Sequence, residues 1–351
     1  MIEPRAGVGL LAGYHSPQLE VDVRLNTNES PSPPPAAWRD ALAAEVATIA
    51  WNRYPDRGAR RLREAIASLH GVAPEQVFAA NGSNEVLQSL CLAYGGAGRS
   101  VAVFEPTYAL HAHIARVTGT DVVEGARRDD FSLDLDEVTR LEGRAQPAIT
   151  FLCSPNNPTG LVEPEATVRA VVDRAPGLVV VDEAYGQFAS WSALALVDEA
   201  RPLAVTRTYS KTWSMAAARL GYLVGPRWLV TQLDKVALPY HLDAVKQAAG
   251  RLALDFRAEM ESRVAEVVAE RERLVERLAA LDVDVWPSGA NFVLFRPRHR
   301  PGDLVWQGLV DRSVLVRDCG AWPRLAGCLR VTVGTRDEDD AFLDALKVVL
   351  G

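Results

Sequence analysis

Leu178-Val179-Val180-Val181-Asp182-Glu183-Ala184-Tyr185 is the stretch on which the fold turns. Four apolar residues without polar alternation read as a strand covered on both faces. The run then stops at a carboxylate, so the chain leaves a buried strand at a point where polar chemistry begins. Working outward, runs with the same texture recur at residues 76–80, 100–104, 148–153, 203–208 and 220–224, separated by stretches of helical length. Strands alternating with helices predict an α/β fold with a large domain around a mostly parallel sheet.

Beyond Tyr240 the texture changes. Residues 242–281 form a Glu/Arg-rich stretch with opposite charges at helical spacing. Strands are expected after it at 290–295, 314–317 and 329–333, with a helix near 302–312. A final helix opens with a Thr335-x-x-Glu338 capping box. This predicts a smaller α+β domain. Toward the N-terminus, Pro31, Pro33, Pro34 and Pro35 exclude a helix or a central strand at that point and predict an extended arm. The expected organisation is therefore an N-terminal arm over 1–45 joining the small domain, a large domain over 46–240 and a small C-terminal domain over 241–351.

With 351 residues the chain exceeds what a single growing core usually accommodates. It has 48% hydrophobic residues, 24% charged residues and a net charge of −7, which predicts a soluble globular protein and argues against a nucleic-acid partner. No apolar run is long enough to span a bilayer. The opening Met1-Ile2-Glu3-Pro4-Arg5 lacks the layout of a secretory signal, so the expected compartment is the cytoplasm. Cys91, Cys153, Cys319 and Cys328 lack zinc-like or disulfide-like spacing and read as packing residues. His111 and His113, two apart on a helix, would point to different faces, so no metal site is expected.

In an open parallel sheet, ligands bind beyond the carboxyl ends of the strands. Polar runs stand at those ends: Asn81-Gly82-Ser83-Asn84, Pro106-Thr107-Tyr108, Ser154-Pro155-Asn156-Asn157-Pro158-Thr159-Gly160, Asp182-Glu183-Ala184-Tyr185 and Ser210-Lys211. Each alone reads equally well as a turn or a helix cap. Their recurrence at strand after strand is what turn chemistry leaves unexplained.

Lysine is scarce: only Lys211, Lys235, Lys246 and Lys347 occur. The last three lie in helical patterns where a solvated face suffices. Lys211 follows a strand end, with Ser210 before it and Arg219 eight residues on. Burial and nearby cations disfavour the charged amine, as Schiff-base chemistry requires. Asp182, ending an apolar strand, needs a cationic partner, and a protonated pyridine nitrogen is one. Gly82-Ser83-Asn84 opens a helix whose N–H groups can hold a phosphate. Ser210 and Arg219 would add donors to it, and Tyr108 offers a ring. The cofactor these residues suit is pyridoxal 5'-phosphate. Dinucleotide, P-loop and nucleophile-elbow signatures are lacking or out of context.

The same motifs resemble the fold-type I pyridoxal-phosphate aminotransferases and, among them, the histidinol-phosphate aminotransferase family. The likeness runs through residues 25–29, 53–56, 81–85, 154–160, 181–185, 209–211, 219–222 and 329–335. It implies that Asn157 and Tyr185 bond the cofactor's phenolic oxygen, that Asp182 holds its ring nitrogen, and that Lys211 is Schiff base and proton shuttle. It implies further that Tyr54 reaches the phosphate in the other subunit of a homodimer, that Asn28 and Arg330 bind substrate, the latter at the carboxylate of glutamate, and that Arg317 receives a substrate phosphate. Ser30-Pro31-Ser32-Pro33 departs from the family's Asn-Pro-Tyr-Gly, so Ser32 replaces a tyrosine that commonly contacts that phosphate.

The expected activity is transamination between L-histidinol phosphate and 2-oxoglutarate. The rivals are an aromatic amino-acid aminotransferase, a phosphothreonine-type decarboxylase of the same fold, and a non-catalytic binding protein that kept it.

Overall fold

The computed structural model describes residues 2, 3, 6–9, 11, 13 and 18–351. Within the arm expected over 1–45, residues 1, 4, 5, 10, 12 and 14–17 lie outside the described residues. The strands are β1 (Val23–Leu25), β2 (Val77–Ala80), β3 (Ser100–Glu105), β4 (Asp121–Ala126), β5 (Ile149–Cys153), β6 (Leu178–Asp182), β7 (Leu203–Thr208), β8 (Gly221–Val224), β9 (Val283–Val285), β10 (Phe292–Pro297), β11 (Val314–Asp318) and β12 (Leu329–Thr332). They form a seven-stranded sheet in the order β2-β8-β7-β6-β5-β3-β4 and a five-stranded sheet in the order β1-β11-β12-β10-β9. In the larger sheet only β8 runs against its neighbours.

The apolar run that decides the fold lies at the centre of that sheet. All five residues of β6 are buried. Val180 packs on one face with Phe151, Val86 and Leu90, while Val179 and Val181 pack on the other with Leu152, Val168 and Val205. Successive side chains of a strand point to opposite faces. A strand sandwiched between two helical layers therefore needs apolar residues at every position, each worth roughly 1.5–3 kcal/mol when fully buried.

Several elements differ from the expectation. β4, at the sheet edge, carries Asp121, Glu124 and Gly125, and its polar, half-exposed pattern hid it among helical signals. Helices Ala36–Val46 and Arg60–His70 had not been anticipated. The proline-rich arm holds β1, which pairs in parallel with β11 at the edge of the small sheet, and Pro35 caps the following helix. In place of one continuous helix over 242–281 there is a helix at Ala244–Ala253, a 3-10 turn and a helix at Arg257–Ala279. Ala249 and Ala253 pack with Leu62, Tyr209 and Tyr222 in a core of the large sheet. Val267, Leu274 and Leu278 instead join the core of the small sheet. The chain thus passes from one core to the other within the helix Arg257–Ala279, beyond the expected boundary at 240/241. The capping box is present: Thr335 Oγ1 accepts from Glu338 N, and Thr335 N donates to Glu338 Oε2. Among the described residues no helix is long and apolar enough to cross a membrane, and no group of three His, Cys, Asp or Glu side chains is placed to hold a metal ion. The four cysteines are buried and unbridged.

Candidate functional site

A cavity of about 410 Å³ opens beyond the carboxyl ends of the central strands, between the two sheets. Asn28, Ser83, Asn84, Tyr108, Asn157, Asp182, Tyr185, Ser210, Lys211, Arg219, Arg317 and Arg330 all line it. Tyr54 does not: it is 80% exposed and stacks on Tyr240, with ring centroids 4.5 Å apart.

At one end of the cavity the helix Ser83–Tyr94 presents its N-terminus. The N–H groups of a first turn have no partner inside their helix and carry the positive end of its dipole. Gly82, at φ +83°, turns the chain into this helix, and a Cβ there would meet Arg219 Nη2 at 2.9 Å. Arg219, itself at φ +49°, donates from Nη1 to Ser210 Oγ at 3.2 Å. Gly221 serves the same cradle from β8: a Cβ on it would sit 2.3 Å from Ser83 N. Backbone donors, a hydroxyl and a guanidinium therefore converge on one point, a donor set that suits a phosphate.

At the other end Asp182 is buried beside the cavity. Its Oδ1 accepts from Thr206 Oγ1 at 3.0 Å and Ala184 N at 3.1 Å. Its Oδ2 lies 3.0 Å from His111 Nε2. Toward an ionised carboxylate, which only accepts, Nε2 would be the donor. Glu183 turns the opposite way, into a buried ion pair with Arg207. Nothing in the sequence around His111 signals this contact. Three residues after Tyr108, His111 stacks on Phe151 at 4.8 Å and meets the Tyr108 ring edge-on. The Tyr108 hydroxyl donates to Asn84 Oδ1 at 3.2 Å.

Between the two ends lies Lys211. Its Nζ donates to Thr27 O at 3.0 Å and sits 5.7 Å from the centre of the Tyr185 ring. Burial, and then the charge of Arg330, lower its pKa to about 7; Glu29 opposes them, and Arg219 adds a lesser lowering. The Tyr185 hydroxyl accepts from Asn28 Nδ2 at 2.9 Å, and burial pushes its pKa up to about 12. Asn28, at φ +55°, is locked by Thr332, whose Oγ1 accepts from Asn28 N and donates to Asn28 Oδ1.

Asn156 bonds Pro106 O, Thr107 and Thr159, tying the 154–160 loop to the end of β3, so that its neighbour Asn157 faces the cavity. Arg330 reaches across from the small sheet. It donates to Asn157 Oδ1 at 2.5 Å and to Asn26 O at 2.9 Å, and it lies over the Phe292 ring. Ser32 is not among the lining residues; Ser30, two residues before it, accepts from Ser214 Oγ. Lys246, expected on a solvated face, instead donates to Asn81 Oδ1 at the base of the Gly82 turn.

A phosphate cradle, a buried carboxylate fit for a pyridinium nitrogen and a lysine poised to be neutral fit pyridoxal phosphate, and with this fold they define a pyridoxal-phosphate enzyme of fold type I. Residues 20–346 match the family model for aminotransferase class I and II. The chain is 47% identical to the histidinol-phosphate aminotransferase of Frankia casuarinae over 96% of this chain and 87% of that one. It is 45% identical to that of Thermobifida fusca over 97% and 93%. The histidinol-phosphate aminotransferase of Sinorhizobium meliloti, solved in complex with pyridoxal-5'-phosphate, shares the fold with a TM-score of 0.88 at 21% identity, over 100% of this chain and 98% of that one. The chain belongs to the class I and II aminotransferases and, within them, to the histidinol-phosphate aminotransferase family.

Proposed function

We propose that this chain transfers the amino group of L-histidinol phosphate to 2-oxoglutarate, giving imidazole-acetol phosphate and L-glutamate, in histidine biosynthesis. The observation that carries the reading is the placement of Arg317 and Arg330 on one wall of the cavity that holds Lys211. Substrates with two anionic groups need two such receptors, and guanidinium offers each a fixed fork of donors.

When bound, pyridoxal phosphate supplies an electron sink. The first-turn N–H groups of Ser83 and Asn84, with Ser210 and Arg219, hold its phosphate, and Gly82 leaves room for that arginine. Asp182, bonded by Thr206, Ala184 and His111, would accept from the ring nitrogen. Asn157 and Tyr185 would bond the phenolic oxygen, with Asn28 fixing the tyrosine, and Tyr108 would offer its ring. Lys211, whose amine is half neutral near pH 7, would hold the cofactor and would move the proton at the substrate's α-carbon. Arg330 takes the carboxylate of glutamate, and Arg317 takes the phosphate of histidinol phosphate.

The reading includes a cytoplasmic homodimer in which Tyr54 serves the neighbour's cofactor phosphate. Tyr54, Trp51 and Leu238 are large apolar side chains left 71–80% exposed in the single chain, and such a surface suits a partner subunit. The function is tested by a screen of amino donors against 2-oxoglutarate with the purified holoenzyme. Turnover of histidinol phosphate supports it. Good turnover of phenylalanine with none of histidinol phosphate points to an aromatic aminotransferase, release of CO₂ from a phosphorylated amino acid to a decarboxylase, and no turnover at all to a binding protein.

A further inference from the structure

The segment joining β11 to β12 carries a tryptophan that no motif singled out. Trp322 lines the cavity, and the guanidinium carbon of Arg317 lies 5.1 Å from the centre of its ring. The segment around it is firmly mounted. Cys319 N bonds Cys328 O across its base, Trp322 N bonds Cys319 O, and Leu325 N bonds Trp322 O. Leu325 is fully buried, in a cluster with Phe131, Leu294, Cys319 and Cys328. Arg324 reaches over to the large sheet, where it pairs with Asp129 and donates to Arg127 O. Arg127 is itself buried in an ion pair with Glu163. The segment that carries Trp322 is thus anchored on both sides, and its side chain packs, partly buried, against that cluster.

We propose that Trp322 is a positioning residue for Arg317 and, through it, sets the preference of this site for phosphorylated substrates. Arg317 and Arg330 are direct cross-strand partners, so their charges repel at close range. Arg330 is oriented by Asn157, Asn26 and the Phe292 ring. The Trp322 face gives Arg317 a separate resting place, where cation–π attraction holds the guanidinium at the cavity wall. A long arginine side chain otherwise loses rotamer freedom on binding an anion, and a guanidinium already seated on a ring loses less.

This inference rests on the reading that Arg317 receives a substrate phosphate, and the experiment separates the two. The holoenzyme, Trp322→Ala and Trp322→Phe are compared in single-turnover reactions with L-histidinol phosphate and with L-histidinol, which lacks only the phosphate. Inorganic phosphate is titrated calorimetrically into each holoenzyme as an independent readout. Trp322 is only partly buried, so the alanine variant is expected to fold, and unchanged circular dichroism and cofactor absorbance verify it. The expected result for Trp322→Ala is a fivefold to tenfold rise, as an order of magnitude, in the histidinol phosphate concentration giving half-maximal rate. The limiting rate stays within about twofold, histidinol is unaffected, phosphate binding weakens by a similar factor, and Trp322→Phe restores most of the loss. Equal losses with histidinol phosphate and histidinol, or no loss with either, overturn the inference while leaving the proposed reaction standing. If the wild type fails to turn over histidinol phosphate yet binds phosphate in a manner that depends on Trp322, the reaction falls and the positioning role stands.

Discussion

Arg317 and Arg330 face each other directly across β11 and β12, two cations on the same side of an antiparallel pair, and both line the cavity around Lys211. Like charges so placed disfavour the sheet by an amount on the order of 0.2–1 kcal/mol. Arg330 also helps to lower the pKa of Lys211. Anionic substrate groups entering the cavity would meet both cations.

The two arginines should fail differently. Arg330→Ala is expected to impair the half-reaction with glutamate, and Arg317→Ala the half-reaction with histidinol phosphate. Each loses a charge-assisted bond worth roughly 1.5–3 kcal/mol, hence at least about tenfold in rate or affinity. Cofactor binding should survive both changes. Single-turnover spectra with each donor read the two halves separately, and an Arg317→Ala enzyme unimpaired with histidinol phosphate would make that residue structural.

The amine of Lys211 should set the pH dependence of cofactor capture. Lysine ordinarily titrates near 10.4 and is charged throughout the neutral range. Here burial and Arg330 lower the value to about 7, so the reactive neutral amine predominates above that pH and is lost below it. The initial rate at which the cofactor-free protein captures pyridoxal phosphate should rise about tenfold per pH unit below 7 and level off above it. Arg330→Gln removes one of the depressing charges, so the midpoint should move upward. A profile still rising at pH 9 in the wild type would show that Lys211 is not depressed.

His111→Phe keeps a ring to stack on Phe151 and removes the donor to Asp182. With less support for its charge, Asp182 should hold the ring nitrogen more weakly. The expected loss is about tenfold or more in kcat, with cofactor still bound. Unchanged kcat would reduce His111 to packing.

How much of this was legible in the sequence varies with the physics of each residue. β6 was readable because burial on both faces demands an unbroken apolar run. The cavity residues were readable because strand ends in a parallel sheet are where ligands bind, so Asp182, Lys211 and Ser83 stood out by position. β4 and β1 were hidden because edge strands tolerate charge and exposure. His111 was missed because its role depends on a partner 71 positions away, and Trp322 because what gives it meaning is a cation–π contact with Arg317. The partition of 244–253 was missed because helical periodicity does not say which core a helix covers.

If Tyr54 completes the neighbour's phosphate site, assembly and cofactor affinity are linked. Dilution below the dimer's dissociation constant should weaken pyridoxal phosphate binding, and saturating cofactor should favour the dimer. Tyr54→Ala should reproduce the loss of affinity without altering Lys211. Sedimentation at several cofactor concentrations reads this linkage, and equal affinity in a true monomer and in the dimer would refute it.

The central claim is that Lys211 and the arginine pair serve a phosphorylated amino donor, and a direct comparison of kcat/KM for L-histidinol phosphate and L-phenylalanine, with 2-oxoglutarate as acceptor, tests it. A phosphate received by Arg317 through charge-assisted bonds worth roughly 1.5–3 kcal/mol predicts a preference for histidinol phosphate of at least about tenfold. Equal values for the two donors, or a preference for phenylalanine, would contradict the account.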